Sequence, residues 1–156
     1  MKHLLSNQKG SQSVEMLIVL PLLLMMFFMI VEMGLVMYDF VSVNYVANSM
    51  AVQAATRGEF TDSIKGDGAN YLRTWTTEGK NITVNYAQTP QQVAGAAVIW
   101  GPPSGQKFNR GQLITVGVVY PVRFKTFVMR GLAWLVESQD IYLKAQATAA
   151  SEVYIE

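Results

Sequence analysis

From Met16 to Tyr38 the chain runs for 23 residues with a single formal charge, Glu32, and its first part, MLIVLPLLLMMFFMIV from Met16 to Val31, carries none. Wound as an α-helix at about 1.5 Å per residue, such a stretch is long enough to cross a hydrocarbon layer of about 30 Å. It reads as one transmembrane helix. Composition agrees, because only 15% of residues are charged and 51% are hydrophobic, against roughly 25% charged in an ordinary soluble domain. Lys2 and Lys9 precede the stretch with no acid before Glu15, and Asp39 is the first formal charge after it. The positive-inside tendency therefore places the N-terminus in the cytoplasm and residues 40–156 on the far side. A cleaved secretory signal fits less well: the run exceeds the usual length, and the nearest small-x-small candidate, Ala47-Asn48-Ser49, lies well beyond Val31.

Several function classes fall away on composition alone. The 156 residues amount to about one domain's worth. A formal charge of +1 gives no electrostatic reason to wrap nucleic acid. The chain has no cysteine and one histidine, His3, ahead of the apolar segment. A Ser-His-Asp triad, a Cys-His dyad and an N/S-ligated zinc site beyond that segment are thereby excluded. Asp62, Asp67 and Asn70 lack EF-hand spacing and its closing Glu. Acid chemistry among Glu59, Asp62, Glu78 and Asp140 stays formally open, but no two of these stand in a recognisable catalytic context. The expectation is a protein that is not an enzyme, with no catalytic residue, cofactor or metal.

Three residues of the apolar helix stand out. Glu15 sits at its entrance, where an acid is either a functional residue or the marker of the helix's interfacial end. Glu32 lies in the second half. An ionised carboxylate costs about 2.5–3.5 kcal/mol at mid-bilayer, so Glu32 needs a partner or a short escape to water by snorkelling. Pro21 removes the amide that would bond the Leu17 carbonyl, which makes it either a functional flexible point or a harmless kink.

The residues KGSQSVE set Gly10 after a basic residue, with Glu15 five positions on and the apolar helix immediately behind. This arrangement resembles the class III leader of type IV pilin-like proteins. The resemblance implies a membrane-embedded prepilin peptidase that cuts between Gly10 and Ser11 on the cytoplasmic side and leaves Glu15 as the fifth mature residue. Ser11 departs from the Phe or Met of many such pilins, which bears on N-methylation more than on cleavage. The longer stretch is similar to the TadE-like pseudopilins of tight-adherence (Flp) pilus systems in its Val14-Glu15 pair, its Leu20-Pro21 step and its Glu32-Met33-Gly34. The likeness is strong over residues 8–40, looser over 112–152 (LITVGVVYPVRF and LKAQATAASE) and absent from 59–111.

That resemblance implies a minor pilin or pseudopilin, since the family's major pilins are much shorter. Its implied partners are prepilin peptidase, other pilin or pseudopilin subunits, the assembly platform in the inner membrane, and membrane lipid. The residues fit this chemistry on their own terms. Gly10 leaves an unhindered backbone that a protease can hold extended. A new α-amino group near Glu15 and a neighbouring subunit's carboxylate are each costly in lipid and cheaper as a pair. The competing reading is a single-pass anchored binding or adhesion module that never enters a filament.

Three segments follow from this reading: a leader over 1–10, a membrane and spine helix over 11–58, and an exported domain over 59–156. Ala47, Ala51 and Ala54 or Ala55 recur at helical spacing before a stop at Arg57-Gly58. Residues 61–77 form a broken helical pattern interrupted by Gly66-Asp67-Gly68. Strands are expected over 81–88, 112–120 and 140–155, with a short helix or amphipathic edge over 124–136. Residues 89–111, rich in Pro and Gly, read as a long exposed loop or flap carrying an apolar patch from Val93 to Trp100. Trp100 is either an interface anchor or a side chain folded back on the sheet. The expected class is α+β, a long N-terminal helix followed by a small antiparallel-sheet domain.

Overall fold

The computed structural model describes residues 8–133 and 141–154, the side chains of 8–13 and 132–133 excepted. Helix α1 spans Gln8–Arg57, α2 Asp62–Trp75 and α3 Phe127–Ala133. The strands are β1 Thr83–Ala87, β2 Ala96–Trp100, β3 Leu113–Pro121 and β4 Tyr142–Ala150, and a single 3-10 turn covers Gly79–Asn81. The fold is α+β, with a long apolar N-terminal helix and a small four-stranded sheet. The described residues divide into two compact units, one of residues 8–34 and 124–133, the other of residues 35–123 and 141–154.

In the second unit the sheet order is β1-β2-β3-β4. The pairs β2–β3 and β3–β4 are antiparallel, whereas β1 and β2 run parallel in the register Thr83 to Ala96 through Ala87 to Trp100. The sheet is therefore mixed, and the expectation of a purely antiparallel one is corrected at this edge. Residues 88–95 return the chain along β1, a distance that an extended segment of this length spans at about 3.3 Å per residue.

The correction comes from β2. Its five residues AAVIW were expected to lie in an exposed loop, yet Ala96, Ala97, Val98 and Ile99 are all buried. A strand covered on both faces reads as a continuous apolar run without alternation, and its Pro and Gly neighbours disguise it as loop. At β1, Ile82 and Val84 are buried as expected, but Tyr86, read on the same face, is exposed. Strand β3 follows the expected segment from Leu113 and runs one residue further to Pro121, buried without alternation from Val116 on, and β4 lies within the segment read from sequence. Asp140 and Ile155, the ends of the last expected strand, and residues 134–136 of the expected 124–136 segment, lie outside the described residues.

One hydrophobic cluster binds this unit, with Val43, Met50 and Ala54 from α1, Ile64 and Leu72 from α2, and Ile99, Ile114, Val118 and Tyr120 from the sheet. Ala47, Ala51 and Ala54 of the alanine stripe of α1 are part of it, and Ala55 is buried as well. Small side chains let backbones approach, and α2 uses the same device. A Cβ on Gly68 would lie 2.6 Å from the Met50 sulfur. That contact explains why Gly66-Asp67-Gly68 does not break α2, which runs uninterrupted behind an N-cap in which the Thr61 hydroxyl accepts from the Ile64 amide at 3.4 Å. Helix α1 stops where the sequence predicts, at Gly58 with φ +68°.

Candidate functional site

In the first unit the apolar residues of α1 are bare. Leu17, Ile18, Leu22, Leu23 and Ile30 are each more than half exposed. A continuous apolar surface of this extent is not left in water, and one apolar N-terminal helix fits a single-pass membrane anchor. Helix α1 continues through Pro21 without interruption. Gly10 and Ser11 lie on the helical backbone near its start, while residues 1–7 of the expected leader, including Lys2 and His3, lie outside the described residues. Glu15 is exposed and has no hydrogen-bond or ion-pair partner among the described residues.

Glu32 behaves differently. It is 2% exposed, and its carboxylate accepts hydrogen bonds from the backbone amides of Lys125 at 2.7 Å and Thr126 at 2.8 Å. These amides lie just ahead of α3, where the Thr126 hydroxyl also accepts from the Met129 amide at 3.4 Å. A carboxylate facing amides that have no helical partner satisfies both groups, and the charge strengthens each bond. One turn before Glu32, Phe28 meets Phe127 edge to face, with centroids 5.1 Å apart. Sequence reading gave Glu32 either a partner or a route to water; its carboxylate takes the former, in a segment 93 residues further along the chain.

The second unit repeats the device with a residue that sequence reading used only to end the apolar stretch. Asp39, 4% exposed, accepts from the Thr77 amide at 2.8 Å and the Thr77 hydroxyl at 2.5 Å. Nearby, the Ser42 hydroxyl donates to the Trp75 carbonyl at 3.2 Å. The available signal was spacing: Glu32 and Asp39 stand seven residues apart, two turns of one helix, in otherwise apolar surroundings. Beyond Thr77, Glu78 is buried with Arg123 3.4 Å away. Tyr120, wholly buried, ends beside Thr76 and Glu78, its hydroxyl making no hydrogen bond of good geometry. Burial, reinforced by the charges of Asp39 and Glu78, pushes this phenol up to about 12.

The remaining acids are dispersed. Asp62 is engaged by Lys65 and the Ser104 hydroxyl, which hold its carboxyl below the ordinary aspartate range, the Ser104 bond foremost. Asp67 and Asn70 are exposed on α2, Glu59 pairs with Lys107 through a backbone bridge, and Asp140 lies outside the described residues. No group of three His, Cys, Asp or Glu among the described residues could hold a metal ion.

The family model described as TadE-like protein matches residues 10–57. Residues 10–57 are similar to that family. The segment opens at Gly10 and closes at Arg57, the last residue of α1, so it holds Glu15, Pro21, Glu32 and Asp39 together. No curated protein and no solved structure matches the chain. The sheet thus lies outside the matched region. Within it, Trp100 packs over Gly117, where a Cβ would come within 2.6 Å of the indole. The Trp100 ring also borders a groove of about 590 Å³ lined by Pro90, Gln92, Val119 and Lys144.

Proposed function

We propose that the chain is a minor pilin or pseudopilin of a tight-adherence pilus. It is anchored by α1 with its N-terminus in the cytoplasm and its sheet-bearing part outside, and it contributes to pilus initiation, capping or assembly and hence to surface adhesion. Prepilin peptidase cuts between Gly10 and Ser11, after which Glu15 pairs with a new α-amino group across subunits. Its other partners are pilin or pseudopilin subunits, the inner-membrane assembly platform and lipid, not nucleic acid. The protein acts by binding and assembly, without a catalytic residue or cofactor. The observation that carries the reading is the TadE-like match itself, which starts at the proposed cut and covers Glu15 and the whole exposed apolar surface of α1.

The two charges are the physical centre of this proposal. A lone carboxylate and a lone ammonium at the membrane each carry a desolvation cost that pairing offsets. Glu15→Ala, produced in a bacterium whose own copy is deleted, is expected to leave the protein in the membrane at normal levels while pili are lost. Normal piliation and adhesion by that variant would contradict the assembly role. One observation favours a second reading, an anchored binding module outside any filament: the groove beside Trp100 belongs to the part of the chain that the match leaves uncovered. That reading requires Glu15→Ala to be tolerated and the Gly10–Ser11 bond to stay intact.

A further inference from the structure

Helix α3 belongs to the same compact unit as the apolar first part of α1, and its position along that helix is fixed by Glu32 and Phe28. Counted from Met16, Glu32 lies about 24 Å along the helix axis, roughly 6 Å short of the far edge of a 30 Å hydrocarbon layer. Helices that lie in a membrane surface bury their apolar face about 5–10 Å into the headgroup and acyl boundary. The two depths coincide. Phe127 is 73% exposed although its ring meets that of Phe28 edge to face, and Phe27, Ile30 and Val31 of the neighbouring turns of α1 are exposed as well. Lys125 and Arg130, both exposed, flank it with positive charge.

The polar contact explains how such a helix tolerates that depth. An unpaired carboxylate below the headgroups is costly, and so are unpaired amides at a helix start. Glu32 and the Lys125 and Thr126 amides satisfy one another, so neither has to reach water. We propose that α3 is an interfacial helix, lying at the outer boundary of the bilayer that α1 crosses, with Phe127 among the acyl chains and Lys125 and Arg130 at anionic lipid phosphates. The occupant of the exposed α3 surface is therefore lipid. The inference rests on α1 spanning a membrane, as proposed above, and not on assembly into a filament.

The chain has no cysteine, so single probes can be placed without other changes. Phe127→Cys and Gly131→Cys serve for α3, since a Cβ on Gly131 meets nothing within 4 Å. Leu23→Cys marks the bilayer interior, and Tyr86→Cys, 53% exposed on the sheet, marks water. Each full-length variant is labelled with an environment-sensitive fluorophore. It is then reconstituted into phosphatidylethanolamine–phosphatidylglycerol vesicles containing lipids with a nitroxide near the headgroup or near the chain end. Both α3 probes are expected to emit blue-shifted from Tyr86→Cys and to be quenched more by the shallow nitroxide than by the deep one, the reverse of Leu23→Cys. Emission like that of Tyr86→Cys would overturn the proposal. So would a blue shift that neither nitroxide quenches, which reports cover by protein, such as a second copy. A Leu23→Cys probe in water would overturn the membrane anchor as well, and that separates the two failures.

Discussion

Glu32 and Asp39 serve as acceptors for distant backbone amides, one for residues 125 and 126 and the other for Thr77. Removing a buried acceptor leaves its donors unsatisfied, at about 1–3 kcal/mol. Glu32→Ala is therefore expected to loosen residues 125–133 while the sheet stays intact, seen as faster amide hydrogen exchange in that segment alone; unchanged exchange there would contradict the role given to Glu32. Tyr120 carries a pH prediction. Its folded pKa, about 12, lies above the unfolded value near 10. The native state thus holds this proton more tightly, and the associated stability is complete below pH 10 and is lost as pH rises from 10 to 12. Tyr120→Phe is expected to flatten the fall in denaturation midpoint across that window. It is also expected to cost little at pH 7, because the hydroxyl it removes makes no good hydrogen bond. An alkaline fall of unchanged steepness would show that other groups govern it.

The element scale separates what sequence patterns disclose from what packing decides. The long helix, its stop at Gly58 and strands β1 and β4 were legible because hydrophobic length, an αL glycine and alternation are local signals, while β3, buried continuously from Val116 on, was legible as a β-branched run closed by Pro121. Strand β2 was not, since burial on both faces removes alternation and leaves a short apolar run between turn-forming residues. In α2 two glycines suggest a break, yet Gly68 is set against Met50 of α1. This contact yields a graded expectation. Gly68→Ala presses on Met50 Sδ at 2.6 Å and Cγ at 3.3 Å, beside Ile99 Cδ1 at 3.4 Å, so Met50 must shift. The gain of about 1 kcal/mol of helix propensity offsets that cost and leaves the change close to neutral. Gly68→Val forces the helices apart at about 1–3 kcal/mol. Denaturant midpoints of the detergent-solubilised chain check both, and equal midpoints for the two variants would contradict close α1–α2 packing at this point.

Across the whole molecule, the functional signal lies in the first third of the chain. Gly10, Glu15, Pro21 and Glu32 stand out in sequence because charge, proline and glycine are conspicuous in an apolar run, and the TadE-like match covers all four. The partners of Glu32 could not be read in advance, because a contact across 93 residues leaves no local pattern. Nor did the mixed sheet declare itself, since parallel pairing of β1 with β2 depends on where residues 88–95 carry the chain. The proposal with most at stake is a pilin-like subunit, anchored by α1 and matured at Gly10. It is tested most directly by the N-terminal sequence and intact mass of the membrane-bound protein, produced with and without an active prepilin peptidase. The expected result is a new terminus at Ser11 that depends on the peptidase and disappears in Gly10→Ala. A chain that keeps residues 1–10 in the presence of active peptidase, or one that loses the entire apolar run, would contradict it.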